Sequence, residues 1–225
     1  MFNDKYGLTQ AVLEGRKTQT RRIISIPKNI QKQIVGEPKI TGGKDYRLGV
    51  EVRIYDEEDD DFVPMYVQPV YLVNEVVAIA QSYGVISDNI SHNPSVQKAQ
   101  FYCDVMKTCY PKEEIPRDKE DIAGWSNKMF VKSKLMPHQI RITKVRIQRL
   151  QDISDDDCLA EGIFEDSGDD EFPPSIFYDF EGNKDDGFDT PREAYAALIN
   201  KVSGKGTWES NPYVWVYEFE LVKWI

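Results

Sequence analysis

The stretch from Gly15 to Arg22 reads G-R-K-T-Q-T-R-R, and its residue types could do chemistry. Four of its eight residues are cationic, two are threonines and none is acidic, in a chain whose formal net charge is -10. A threonine hydroxyl becomes an effective nucleophile when a base takes its proton, and a lysine serves as that base once its pKa falls toward neutrality. Burial and like-charged neighbours both push a lysine down, and Arg16, Arg21 and Arg22 are suitable neighbours for Lys17. Lys17 and Thr20 are therefore a candidate base and nucleophile. A carboxylate must still orient the amine or relay the proton, and spacing alone does not say which of the thirty-eight acids supplies it. The same cluster also reads as a basic surface turn whose cations stay solvated or hold an anion such as a phosphate.

The flanking elements must position this stretch. Thr9 reads as the cap of a short helix running through Glu14, with Leu8, Ala11 and Val12 facing inward and Gly15 in the left-handed position that ends it. Residues three apart in a strand point to opposite faces, so cooperation between Lys17 and Thr20 requires a turn over residues 16 to 19. Ile23, Ile24 and Ile26, closed by Pro27, then enter a sheet or its edge. Residues 48 to 55 are β-prone, and the acidic run 56 to 61 reads as a solvated hairpin tip. The apolar run 70 to 83 reads as a central strand entered through a turn at Asn74, followed by a loop over 87 to 94 and a helix over 96 to 110. Residues 112 to 120 should be exposed, and Trp125, Met129, Phe130 and Met136 tucked under a loop. A strand is predicted over 139 to 150, its alternation changing phase near Thr143 and Lys144 as at a bulge. Ser154 and Asp157 form a capping box for a short helix ending at Glu161, before Gly162. Thr190, Pro191 and Glu193 start a helix that runs to about Val202, with Ala194, Tyr195, Leu198, Ile199 and Val202 available for the core. The alternation over 212 to 222 predicts a long strand with one fully apolar face, which places Tyr213 and Trp215 in the core.

Strands dominate this pattern, so the expected fold is α+β and mainly β: a small, partly open β-barrel with short helices at its ends and an acidic insertion. A length of 225 residues suits a single domain over 1–225, with insertions at 28–66, 84–123 and 164–189. The charge is concentrated: fourteen acids against one lysine between Ser154 and Thr190 give -13, leaving +3 for the rest, so a basic groove elsewhere is compatible with the low pI. No apolar run approaches the roughly 20 residues of a membrane helix, and the N-terminus lacks the apolar core of a signal peptide, which makes the cytoplasm the default location and no membrane partner expected. The odd count of three cysteines predicts three free thiols. Cys103, Cys109, His92 and His138 match no usual zinc spacing, the acidic run 56 to 61 lacks the glycine and terminal glutamate of a calcium loop, and no metal or other cofactor is expected.

The pattern G-x-K-x-x-T-x-R, met at Gly15, Lys17, Thr20 and Arg22, resembles the signature of the ASCH domain, a branch of the PUA-like β-barrels associated with RNA. The segment L-Q-D-I-S-D-D-D-C-L-A-E-G-I, residues 150 to 163, is similar to that family's strand-to-helix segment, and N-P-Y-V-W-V-Y-E-F-E, residues 211 to 220, to its closing strand. The G-x-K-T-x-T-R-R form and M-P-H-Q-I-R-I, residues 136 to 142, resemble ASCH-like proteins of phages and bacterial mobile elements. Small bacterial members are amidohydrolases that remove the acetyl group from N4-acetylcytidine with a lysine, a threonine and a glutamate. The resemblance puts these roles on Lys17, Thr20 and Glu161, with Gly15, Arg16, Arg21, Arg22 and Arg141 binding substrate. It implies RNA or a modified nucleoside as partner and leaves the oligomeric state open. Two other readings stand beside it: a non-catalytic nucleic-acid-binding module in which the basic motif with Lys128, Lys132, Lys134 and Arg141 holds phosphates, and an interaction protein acting through its acidic segment.

Overall fold

The structure, a computed structural model, describes residues 2, 4–25, 39–43, 46–56, 61–90, 94–110, 116, 118–166, 176–180 and 187–222. It is α+β and mainly strands, with short helices and a sheet curled into an open half-barrel, as the strand-rich pattern predicts. The strands are β1 (Gln19–Ile23), β2 (Lys39–Gly43), β3 (Tyr46–Asp56), β4 (Asp61–Val67), β5 (Val76–Ala78), β6 (Gln139–Arg149), β7 (Phe164–Asp166), β8 (Phe177–Asp179) and β9 (Tyr213–Val222). The helices are α1 (Leu8–Leu13), α2 (Tyr83–Asp88), α3 (Pro94–Cys109), α4 (Asp155–Ala160), α5 (Pro191–Ser203) and α6 (Thr207–Ser210), with several single 3-10 turns between them. The sheets run β1-β9-β6-β5, β2-β3-β4 and β7-β8. The chain divides into two compact units, one of Asn3–Glu75 with Arg141–Glu220, the other of Met1–Phe2, Val76–Ile140 and Leu221–Ile225.

In the first unit β9 lies between β1 and β6 and pairs antiparallel with β1 from Gln19↔Glu218 to Ile23↔Val214. A strand inside a sheet with both faces covered buries consecutive residues, and Val214, Trp215, Val216 and Tyr217 are all buried where the alternation predicts only one apolar face. The caps of α4 and α5 are where the sequence puts them: Ser154 Oγ accepts the Asp157 backbone N–H and Thr190 Oγ1 that of Glu193, each at 3.2 Å, with Pro191 in the first turn. Helix α5 buries Ala194, Tyr195, Leu198 and Ile199, whereas Val202, expected in the core, falls in its last turn and is 40% exposed. Thr9 does not cap α1. That place belongs to Gly7, which takes the left-handed φ of 62° and starts the helix at Leu8, so Thr9 is buried in the first turn. Leu8, Ala11 and Val12 are buried, and Gly15 is left-handed (φ 77°) just past the helix end, both as expected. Strands β3 and β4 form a hairpin closed by Asp56↔Asp61, as the acidic run predicts. Expectations for 26–38, 112–115, and the acid-rich 167–175 and 181–186 fall outside the described residues.

The expected central strand over 70 to 83 is replaced by three elements. Val70 is 76% exposed, Asn74 makes the anticipated turn in the left-handed region (φ 70°), and β5 spans only Val76–Ala78. Ser82 then accepts the Val85 backbone N–H and caps α2, so Ser87, expected in a loop, lies buried in a helix. Helix α3 falls where a helix over 96 to 110 is predicted. The second unit packs Tyr83, Ile86, Val105, Met106, Ile122 and Met136 into one core, with Trp125 half-buried against it. Met129 and Phe130 are not tucked in: the turn Lys128–Phe130, capped by Asn127, turns both outward, 73% and 58% exposed. Among the described residues no helix is long and apolar enough to cross a membrane.

Candidate functional site

Three backbone hydrogen bonds hold the basic stretch in place within the first unit. The Lys17 N–H donates to the Ala11 carbonyl of α1 (2.9 Å), the Thr18 N–H to the Ala160 carbonyl of α4 (2.8 Å), and the Phe219 N–H of β9 to the Thr18 carbonyl (2.9 Å). The chain therefore extends as soon as it passes Arg16. The turn expected over 16 to 19 is a bend at Arg16 alone, and Gln19 and Thr20 already belong to β1. Glu161 is the C-cap residue of α4, so the bond to Ala160 brings it beside Lys17.

Lys17 Nζ donates to Glu161 Oε2 and to the Glu161 backbone carbonyl, both at 2.6 Å, and the two residues are only 2% and 4% exposed. The other carboxylate oxygen, Oε1, accepts from Arg21 Nη1 at 3.0 Å. Arg21 Nη2 reaches Asp157 Oδ2 at 2.6 Å, and the same oxygen accepts from Arg146 Nη2 at 2.9 Å, while Asp157 Oδ1 accepts from Gln19 Nε2 at 2.8 Å. Arg146 Nε continues to Glu218 at 3.1 Å and Lys144 approaches Glu218 at 3.5 Å. Lys17, Glu161, Arg21, Asp157, Arg146, Glu218 and Lys144 thus alternate in sign from the interior to the surface. Alternation of this kind lets each buried charge meet its opposite, which is the condition for keeping ions out of water. Arg21 carries one defect, a buried Nε without a hydrogen-bond partner.

Burial is the largest influence on Lys17 and pushes its pKa down. The charge and hydrogen bond of Glu161 oppose this, while Arg21 and Arg22 add to the lowering. The direction and two of the three arginines agree with the sequence expectation. For Asp157 burial alone would raise the pKa, but hydrogen bonds from Arg146 and Gln19 and the charges of Arg21 and Arg146 outweigh it and hold the carboxyl below its ordinary value.

Lys17 and Arg21 therefore both come into direct contact with Glu161. Thr20 does not share their side of β1: Gln19 and Arg21 both reach Asp157, so by alternation Thr20 and Arg22 occupy the opposite face, beside their cross-strand neighbours Tyr217 and Trp215. That face is covered by Tyr71, whose ring meets Tyr217 edge-on at 5.4 Å, and by Val70, whose N–H donates to Tyr217 Oη at 3.1 Å. Arg16 lies at the surface, paired with Glu14 at 2.7 Å, with its guanidinium 5.7 Å above the Phe164 ring. Gly15 is exposed in its turn, and Arg141 is an exposed residue of β6 paired with Glu220 at 3.3 Å.

Asp157, Gln19 and Arg146 belong to the cluster although nothing in the motif names them. Asp157 reads in sequence as the reciprocal member of a capping box, but its carboxylate reaches the arginines, leaving the cap to Ser154 alone. Arg146, between Val145 and Ile147 on a β-strand, was the available signal: a cation on a half-buried strand needs an acid near it. Among the described residues no group of three or more His, Cys, Asp or Glu is placed to hold a metal ion; His92 lies outside them. All three cysteines are free thiols, as the sequence predicts.

No protein-family model matches the chain, and no curated protein or solved structure matches it.

Proposed function

We propose that this chain is an ASCH-type, PUA-like protein that binds RNA or a modified nucleoside and hydrolyses an N4-acylated cytidine, with Lys17, Thr20 and Glu161 as the reacting groups. The observation that carries this reading is the 2.6 Å contact between Lys17 Nζ and Glu161 Oε2 in a site almost closed to water. A lysine works as a general base when its amine is desolvated and flanked by cations, the environment Lys17 has in Arg21 and Arg22.

In this reading Lys17 first passes a proton to the Glu161 carboxylate it touches, and its freed amine then takes the Thr20 hydroxyl proton as the oxygen attacks the acyl carbon. Lys17 returns that proton to the departing N4 amine of cytidine, and a water molecule then cleaves the acyl-threonine ester, releasing the acid. Glu161 orients Lys17 and relays protons, with Arg21 fixing the second carboxylate oxygen. Arg22, on the Thr20 side of β1, steadies the negative charge on the acyl oxygen. Because Thr20 and Arg21 stand on opposite faces of β1, the Lys17 side chain must turn toward Thr20 to act, exchanging one of its two bonds to Glu161.

The test is incubation with N4-acetylcytidine, comparing wild type with Lys17→Ala and Thr20→Val. Release of cytidine and acetate by the wild type and its loss in both variants supports the reading. Absence of turnover by folded wild-type protein eliminates it.

A second reading has its own observation. Residues 126 to 138 carry Lys128, Lys132 and Lys134 and no acid, and present Met129 and Phe130 to solvent. An exposed ring among cations suits single-stranded nucleic acid, whose bases stack and whose phosphates pair. Binding that weakens steeply with salt and is lost in Phe130→Ala supports this module, whereas turnover of a neutral nucleoside should respond little to salt.

A further inference from the structure

Between the Lys17–Glu161 pair and the surface, Arg21 is shared by two carboxylates. It donates from Nη1 to Glu161 Oε1 at 3.0 Å and from Nη2 to Asp157 Oδ2 at 2.6 Å, so its shorter bond goes to Asp157. That aspartate oxygen also accepts a second guanidinium, from Arg146 Nη2 at 2.9 Å. Arg21 and Lys17 are closed to water, whereas Arg146 is partly exposed. Gln19 clips the middle of this chain without adding charge. Its Oε1 accepts from Arg21 and from Arg146, each at 3.3 Å, and its Nε2 donates to Asp157 Oδ1 at 2.8 Å.

Buried charges are weakly screened, so a change at one member is felt at the next. Without the charge of Asp157, Arg21 leans on Glu161 alone, and less of that carboxylate's field is left for the Lys17 ammonium. Without the charge of Arg146, Asp157 answers Arg21 by itself, and more of Glu161 is left for Lys17. We infer that Asp157 and Arg146 are positioning residues that set, with opposite signs and through Arg21 and Glu161, how tightly Lys17 holds its proton. Two other titratable groups face the pair, Cys158 of α4 and Tyr195 of α5. Burial pushes the thiol up to about 12 and the phenol well above its ordinary value, so both are neutral while Lys17 titrates. Arg22 of β1 and, farther out, Lys144 of β6 and Glu218 of β9 complete the charged surroundings. Helix α1 contributes no charge, and Glu14 and Arg16 beyond it pair with each other at the surface. As a statement about catalysis the inference rests on the hydrolytic reading, in which Lys17 must give up its proton. As a statement about Lys17 it does not.

The experiment is NMR titration of the full chain carrying isotope-labelled lysine, with the Lys17 signal assigned by its absence in Lys17→Met and each variant first shown to be folded by thermal melting. Asp157→Asn should lower the Lys17 midpoint by about one pH unit, and Arg146→Gln should raise it by a similar amount, the lower end of what one charged neighbour does. Arg146→Lys keeps the charge and should restore the wild-type midpoint. Gln19→Leu removes three hydrogen bonds and no charge, and should leave the midpoint in place. If Asp157→Asn does not fold, Arg146→Gln against Arg146→Lys decides the matter near the surface. A midpoint unmoved by the charge-removing variants, shifts of the same sign in both, or an equal shift in Gln19→Leu overturns the inference. Where wild type hydrolyses N4-acetylcytidine, the rising limb of its pH–rate profile should move with the midpoint. Opposite shifts in a protein without turnover remove the hydrolytic reading and keep this one, and turnover with an unmoved midpoint does the reverse.

Discussion

Lys17 Nζ touches Glu161 Oε2 at 2.6 Å across 144 residues of sequence, and the same carboxylate holds Arg21 through its other oxygen at 3.0 Å. One buried anion thus serves two buried cations. Removing it leaves Lys17 without its carboxylate and Arg21 with Asp157 alone, whereas removing one cation leaves the carboxylate paired with the other. Glu161→Gln should therefore cost about 3–5 kcal/mol in urea unfolding, the range for breaking a buried ion pair. Lys17→Met should cost less, because Arg21 still satisfies the carboxylate and the methionine fills the same volume. Equal costs for the two single variants would show that Arg21 contributes nothing to holding Glu161.

The pH dependence follows from Asp157. Its pKa is lowered in the folded state against the burial that would raise it, because Arg146, Gln19 and Arg21 favour the charged form. Its stabilising contribution is fully present above the ordinary aspartate pKa of 3.8 and is lost as the pH falls from there through the lower folded value. Asp157→Asn should flatten the stability profile below about pH 4, the ordinary aspartate range. Wild type and variant losing stability in parallel over that interval would assign the acid sensitivity to other carboxylates.

The thiols should separate by reactivity. Cys103 is exposed, and Cys109 is half-buried with its Sγ 3.5 Å from Tyr83 Oη. Cys158 is buried on α4, and burial pushes its thiol up to about 12. Since the thiolate is the reacting species, a disulfide reagent at neutral pH should modify Cys103 quickly and Cys158 only on unfolding, with three thiols titrated in denatured, unreduced protein. Rapid labelling of Cys158 in native protein would contradict this burial.

What could be read from the sequence was set by the range of the forces involved. Helix α5 was legible because its cap, its first-turn proline and its buried residues are all local, and β9 because its apolar run is long. Burial, the main cause of the lowered Lys17 pKa, is not a local property, and only the smaller contributions of Arg21 and Arg22, within five residues, are legible in the sequence. The run 70 to 83 misled because apolar content does not reveal a turn at Asn74 followed by a cap at Ser82. Asp157 was hidden for the opposite reason. Its partners Gln19 and Arg21 are 138 and 136 residues away, and a carboxylate three residues after a serine already has a local explanation. The opposite facing of Thr20 and Arg21 depends on where β1 begins, which the backbone bonds of Lys17 and Thr18 decide.

The second unit depends on one glycine. Gly124 has a φ of 94°, which only glycine adopts readily, and a Cβ built there would lie 2.8 Å from Tyr83 Cε2 and 3.2 Å from Val131 Cγ1. Tyr83 has little freedom to move: it is fully buried, its Oη accepts the Lys132 backbone N–H at 2.8 Å, and its own N–H donates to the Gly124 carbonyl at 2.9 Å. Gly124→Ala must therefore shift the tyrosine ring or the loop as well as strain the backbone. It should cost roughly 2–4 kcal/mol, combining about 1–3 kcal/mol for a left-handed non-glycine residue with the overpacking. Adding Tyr83→Leu should recover part of this, because the leucine vacates the space the new methyl needs. If Gly124→Ala proves neutral in thermal unfolding and leaves amide exchange across α2 unchanged, Tyr83 is not held by this loop.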